Sequence, residues 1–228
     1  MTCFTELHET RENSTVKKNI KAVIFDIDGT LADSMGVWSE SDRILLGRRG
    51  IPYTEEVSFA LKSMHFMSAV TYLKNLYSLP DSEESIAEEI TDIVRDKYFH
   101  EVKLMPFVPE MIAHFKASGI KMCAATSNSR ELAEGVLGHN GILDELEFII
   151  TSDEAGSSKE DPKIFHMCAE RLGTAPDETA VFEDSPHAAK TAFENGFYTV
   201  GVNSGHFGDF DALSDCTDIR INSFKDLC

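Results

Sequence analysis

Lys21-Ala-Val-Ile-Phe-Asp26-Ile-Asp28-Gly29-Thr30 decides how the chain is read. Ala22 to Phe25 is an unbroken apolar run, the pattern of a short strand buried on both faces. It ends at two aspartates one residue apart, followed by Gly29 and Thr30. The aspartates therefore fall at the carboxyl end of a strand, where open α/β sheets bind ligands. Two carboxylates so close repel one another, and a divalent cation relieves that repulsion. Asp-Gly-Thr taken alone is also ordinary turn chemistry, so the rest of the chain has to decide between the two readings.

With the residues that follow it, Asp26-Ile-Asp28-Gly29-Thr30-Leu31-Ala32-Asp33-Ser34 resembles the first motif of the haloacid dehalogenase superfamily, whose members are mostly magnesium-dependent phosphotransferases. Three further stretches follow in the order that the resemblance requires. Ile120 to Ala125 is a strand pattern that runs into Thr126-Ser127-Asn128, similar to the second motif, where a hydroxyl holds the transferring phosphoryl group. Thr126, Asn128 and the N–H groups entering a helix near 129–137 can donate to phosphate oxygens, although Thr-Ser-Asn also serves as a helix N-cap. Ser158-Lys159-Glu160-Asp161-Pro162-Lys163 resembles the third motif, with Glu160 in place of its first proline. Lys159 takes the place of the family lysine. Lys163, the rival, follows Pro162 in the first turn of a helix and reads as solvated. Thr179 to Glu183, followed by Asp184, Ser185 and Pro186, resembles the fourth motif. Ser185 and Pro186 read as the N-cap and first turn of a helix reaching Glu194.

The spacing predicts an α/β protein built on a Rossmann-like parallel sheet. Strands at 22–25, 120–125, 147–151, 179–183 and 197–202 alternate with helices at 109–118, 129–137, 162–172 and 186–194, and a short strand at 218–222 precedes a final helical turn. The interval 34–103 breaks this rhythm. It has helical patterns at 36–49, 55–64, 67–77 and 82–101, with Pro52 and Pro80 between them, and no good strand. The expected organisation is an N-terminal extension at 1–18, a core made of 19–33 and 104–228, and a helical insert at 34–103. In the resembled family such an insert is the helical cap of the phosphoglucomutase-like subfamily, which closes over the site, here on hinges near 33–36 and 103–107, and selects the substrate. The aromatic and methionine residues Phe59, Met64, Phe66, Met67, Tyr72 and Tyr77 read mainly as helix packing, with some at Met64 to Met67 alternatively facing the substrate cavity, and Trp38 reads as packing. The acids Asp81, Glu83, Glu84, Glu88, Glu89 and Asp92 read as a solvated face.

The resemblance implies that Asp26 attacks phosphorus and that Asp28 protonates the leaving oxygen, then deprotonates water. Thr126 and Lys159 complete the catalytic set. By the same resemblance Asp26, the Asp28 carbonyl and Asp184 hold Mg²⁺, with Glu183 near as ligand or water anchor; Mg²⁺ is a hard cation suited to oxygen donors. Gly29, Thr30, Ser127 and Asn128 are the expected phosphate-binding residues, Thr30 also holding its loop through a backbone hydrogen bond. Lys62 and His65 are the insert's candidates for gripping substrate. A halide leaves without a proton and an alkoxide does not, so Asp28 argues for phosphoryl transfer over dehalogenation. The stretch Leu61 to Met67 has no arginine to hold a second phosphate, which favours a phosphatase of a small phosphorylated metabolite over a sugar-phosphate mutase. A non-catalytic phosphate binder is the reading from a third class, and the intact acids and lysine oppose it.

Composition excludes other classes. The 228 residues carry 21 Lys and Arg against 39 Asp and Glu, a formal net charge of −18, which disfavours nucleic acid and anionic membrane as partners. Five scattered cysteines without a Cys-x-x-Cys pair fit a reducing, cytoplasmic setting. Neither a signal peptide nor a membrane span is visible, and a monomer is expected.

Overall fold

The computed structural model describes residues 19–61, 64, 66–205 and 209–227. Its contacts divide the chain into two units, one running to Met35 and resuming at Val102, the other Gly36–Glu101. The expected extension at 1–18 and the insert residues Lys62 and His65 lie outside the described residues.

The smaller unit consists of four helices, α1 (Val37–Arg48), α2 (Glu55–Leu61), α3 (Phe66–Tyr77) and α4 (Glu83–His100). Ile86, Ile90, Ile93, Val94, Lys97 and Tyr98 of α4 are buried, the stripe that a 3.6-residue period lays along one face. Ser82 caps this helix by accepting from the Ser85 N–H (3.1 Å). The acids of this region are not uniformly a solvated face. Arg49 bridges Asp81 (3.1 Å) and Glu89 (2.8 Å), and Arg48 also reaches Glu89 (2.9 Å), so two of these carboxylates hold the start of α4 against the end of α1. Phe59 departs from the expectation of core packing, and Met67 takes the exposed alternative. Val57 and Leu61 are the buried positions of α2, so Phe59 falls on the opposite face and is 81% exposed; Met67 is 47% exposed. Trp38 packs edge-on against Phe66, ring centroids 5.5 Å apart.

The larger unit carries six strands: β1 (Ala22–Phe25), β2 (Lys121–Thr126), β3 (Ile149–Thr151), β4 (Thr179–Glu183), β5 (Tyr198–Val202) and β6 (Ile219–Ile221). All pairings are parallel and the sheet order is β3-β2-β1-β4-β5-β6, the Rossmann-like arrangement expected. Helices α5 (Val108–Ala117), α6 (Arg130–His139), α7 (Ser152–Ala155), α8 (Lys163–Leu172), α9 (Pro186–Glu194) and α10 (Asp209–Ala212) connect them. The apolar run of β1 serves both faces. Ala22 and Ile24 pack with Cys123, Phe165, Cys168 and Val181. Phe25 turns the other way onto Phe115 and Phe182, with centroids 6.2 and 5.2 Å away. Ala188 and Ala192 of α9 lie in the first of these clusters, where small side chains let the helix approach the sheet. The short helix α7 was not legible as a separate element. Thr151 begins it with a capping box, its hydroxyl accepting from the Glu154 N–H (3.2 Å) while Glu154 accepts from the Thr151 N–H (3.1 Å). Two expected helix starts also differ. Pro162 stands before α8, not inside its first turn. Ser185 precedes α9 but its hydroxyl makes no cap; its N–H turns back onto Glu183 (3.2 Å). Among the described residues, no helix is long and apolar enough to cross a membrane.

Candidate active site

The chain leaves β1 toward β2 and β3 on one side and returns to β4 on the other. The connections diverge there, and the crevice this opens lies at the carboxyl ends of β1 and β4. Asp26 follows β1, Glu183 ends β4 and Asp184 follows it. The sheet register carries on one step further, since the Asp26 N–H donates to the Phe182 carbonyl (2.9 Å). The three carboxylates are buried and each offers an oxygen within 4.8 Å of the others. Lys159, from the loop before α8, is buried among them and pairs with Asp26 and with Glu183, the latter at 2.9 Å. Lys163 stands exposed on α8.

Burial dominates the electrostatics. It raises the Asp26 carboxyl to about 8, helped by the Glu183 charge and opposed by Lys159. Asp184 rises to about 7 through burial and the Asp26 charge, with a hydrogen bond from the Ser204 hydroxyl working against the rise. Burial also raises Glu183. For Lys159 burial alone would lower the ammonium, but Asp26 and Glu183 outweigh it and hold it above the ordinary lysine value. One cation faces three carboxylates, an excess of negative charge wherever all three ionise.

That excess is the condition a divalent cation satisfies. Asp26 Oδ2 is buried with no hydrogen-bond partner among the described residues. Both Glu183 oxygens are engaged, one by Lys159 and one by the Ser185 N–H. Asp26, Glu183 and Asp184 each offer an oxygen that could hold a cation, Glu183 also anchoring the lysine. Gly29 makes this packing possible. Its φ is +84°, and a Cβ there would run into the Asp184 carboxylate.

The loop after β1 is held by its own backbone: Gly29 N–H to Ala32 O (2.9 Å), Ala32 N–H to Ile27 O (2.8 Å) and Thr30 N–H to Ile27 O (3.3 Å). Thr30 holds the loop through its backbone N–H, while its hydroxyl is fully buried and has no hydrogen-bond partner among the described residues.

Asp28 has a separate environment. The buried Ser34 hydroxyl donates to its Oδ1 (2.6 Å) and the Asn128 amide donates to its Oδ2 (3.2 Å). Its carboxylate is not one of the three that cluster within 4.8 Å, although its charge still acts on Asp26. The Asn128 side chain, expected to meet phosphate, is directed at Asp28 and also accepts from the Ser129 N–H (2.9 Å). Thr126 closes β2, fully buried, its hydroxyl accepting from the Asn128 N–H (3.0 Å). Ser127 is exposed, 3.5 Å from the Ser152 hydroxyl. Two contributors carried no assignment from the sequence. Ser34 stood in the first motif without a role, and nothing in the local sequence marked Ser204.

Residues 20–196 match the family described as haloacid dehalogenase-like hydrolase, and the chain belongs to that family. It is 28% identical over 191 residues to the phosphorylated carbohydrates phosphatase of Thermotoga maritima, covering 82% of this chain and 88% of that one. It is 26% identical over 180 residues to fructose-1-phosphate phosphatase YqaB of Escherichia coli, covering 79% and 95%. A crystal structure of a candidate β-phosphoglucomutase from Thermotoga maritima superposes with a TM-score of 0.85 at 26% identity, covering 91% of this chain and 97% of that one.

Asn128→Ala is expected to lower kcat about 10- to 100-fold, the value of one hydrogen bond to a carboxylate at a reacting group. Steady-state turnover of any accepted phosphate ester measures it, and an unchanged kcat would show that Ser34 holds Asp28 without help.

Proposed function

We propose that the protein is a Mg²⁺-dependent phosphatase that hydrolyses a small phosphorylated metabolite of the sugar or polyol type through an aspartyl-phosphate. The observation that carries this reading is the division of labour between the two aspartates of the first motif. Asp26 sits in the buried acidic cluster beside Lys159, and Asp28 stands apart, held by Ser34 and Asn128. This difference supports Asp26 as the nucleophile and Asp28 as the proton carrier.

In the first half-reaction an Asp26 oxygen bonds to phosphorus, the bond from phosphorus to the ester oxygen breaks, and Asp28 gives that oxygen its proton. In the second, the Asp28 carboxylate takes a proton from water, the water oxygen bonds to phosphorus, and Asp26 is released with inorganic phosphate. Lys159 and the hydroxyl of Thr126 stabilise the phosphoryl oxygens as charge spreads over them. Asp26, Asp184 and the Asp28 carbonyl would hold the cation, which supplies further neutralisation of phosphoryl charge. The phosphatase names of the Thermotoga and Escherichia relatives support a sugar phosphate as substrate. The buried free cysteines Cys123, Cys168 and Cys216 support a reducing, cytoplasmic setting, and we infer a monomer.

The likeness to the candidate β-phosphoglucomutase favours one further reading, transfer of the phosphoryl group between two hydroxyls of one sugar. Phosphate release from sugar, polyol and nucleotide monophosphates with Mg²⁺, run beside conversion of β-glucose 1-phosphate to glucose 6-phosphate with trace bisphosphate, separates the two. Release without isomerisation is expected; isomerisation with little release would make the protein a mutase.

Mg²⁺ is expected to raise the melting temperature, and more at pH 8.5 than at pH 6. At pH 6 the cation must displace protons from Asp26 and Asp184, whose values near 8 and 7 keep them protonated. At a hundredfold excess over Kd the gain is about 2.7 kcal/mol. An apparent affinity at least tenfold weaker at pH 6, read by calorimetric titration, is the companion result; equal affinities at both pH values would place the cation elsewhere.

A further inference from the structure

We propose that a cavity at the carboxyl ends of β5 and β6 is a subsite for the neutral, hydroxyl-bearing arm of the substrate, so that the larger unit itself contributes to leaving-group choice. The inference rests on the phosphatase reading above. The cavity has a volume of about 340 Å³, the scale of a small-molecule site. Its lining includes Asp33, Met105, Asn203, Ser204, Asn222 and Phe224. One wall adjoins the acidic cluster, because Ser204, which lines the cavity, donates through its hydroxyl to the Asp184 carboxylate.

The polar groups are arranged for hydroxyls. Asn203 donates through Nδ2 to Asn222 Oδ1 (3.1 Å) and accepts through Oδ1 from the Gly205 N–H (3.0 Å), which orients both amides. The Asn222 NH₂ then remains as a donor. Ser223 also lines the cavity; its hydroxyl accepts from the Lys225 N–H (3.2 Å), leaving the O–H to donate. Met105 and Phe224 supply an apolar surface for the C–H face of a sugar or polyol chain. Asp33 is the one charged side chain among the described lining residues. A second phosphate would meet that carboxylate and, among the described lining residues, no cation, whereas a hydroxyl can donate to it. A wholly apolar group would cover the amides and hydroxyls without satisfying them.

Asn222→Leu, an exposed position that the core does not depend on, tests the subsite. The readout is the ratio of kcat/KM for hexitol and hexose monophosphates to that for p-nitrophenyl phosphate, which has no hydroxyl arm. The expected result is a fall of at least tenfold in this ratio, carried by KM. A ratio within twofold of wild type overturns the subsite and leaves the phosphatase reading standing. A wild-type protein that releases phosphate from no ester overturns both. Asp33→Asn is the second variant. It is expected to raise kcat/KM for a hexose bisphosphate relative to the monophosphate at least fivefold, and no change in that ratio also counts against the subsite.

Discussion

Asp26→Asn is expected to abolish phosphate release, by a factor on the order of 10⁴ or more, and at the same time to raise the thermal stability of the metal-free protein. The first effect follows from loss of the nucleophile, for which an amide is no substitute. The second follows from the electrostatics. Asp26 titrates near 8 in the folded protein, with burial and Glu183 outweighing Lys159, against roughly 3.9 in an unfolded chain. A carboxyl raised on folding contributes stability that is complete below its unfolded value and is lost as pH rises through the folded one. Wild-type stability in chelator therefore declines between about pH 4 and pH 8 on account of this group, and the Asn variant escapes that decline. Melting curves at pH 5 and pH 8 are expected to lie close together at the lower pH and to separate in favour of the variant at the higher. With Mg²⁺ present the order narrows or reverses, because the cation gains a ligand only in wild type. A variant less stable than wild type in chelator at pH 8 would mean that the Lys159 pair, and not the burial cost, dominates the site.

Lys159→Met is expected to act the other way on stability. Two buried carboxylates, Asp26 and Glu183, lose their shared cation. Breaking a buried ion pair from one side costs about 3–5 kcal/mol, and at about 2–4 °C per kcal/mol for a domain of this size the melting temperature falls by roughly 6–20 °C. The loss depends on pH with a definite sign. Lys159 titrates above the ordinary lysine value, so its own contribution is constant between pH 5 and pH 9. Asp26 and Glu183 are already raised, and without Lys159 they rise further. Their protonation protects the variant at pH 5.5 and is progressively lost toward pH 8.5, so the gap between variant and wild type widens as pH rises. Differential scanning measurements at the two pH values check this; parallel curves would show that the lysine acts through packing. Phosphate release falls too, since the charge that would face the phosphoryl oxygens is gone.

Much of the site was legible because it depends on strand ends. A short apolar run that stops at acids or hydroxyls places those groups at the carboxyl edge of a parallel sheet, whatever the side chains do next. Asp26, Thr126, Glu183 and Asp184 were read that way, and Lys159 by its place in the third motif. The sequence by itself also determined the alternation of strands and helices and the helical interval that interrupts it, since periodicity and turn residues act over a few neighbours. Only the tertiary structure decided which groups meet. The strand order β3-β2-β1-β4-β5-β6 brings Asn128 onto Asp28 across 100 residues and Lys159 onto Asp26 across 133. It likewise engages both oxygens of Glu183, brings Ser204 to Asp184, and leaves the Thr30 hydroxyl without a partner among the described residues. Local pattern specifies the direction and length of an element, but a hydrogen bond needs two atoms within about 3 Å, and for residues far apart in the chain that distance is set by how the sheet is assembled.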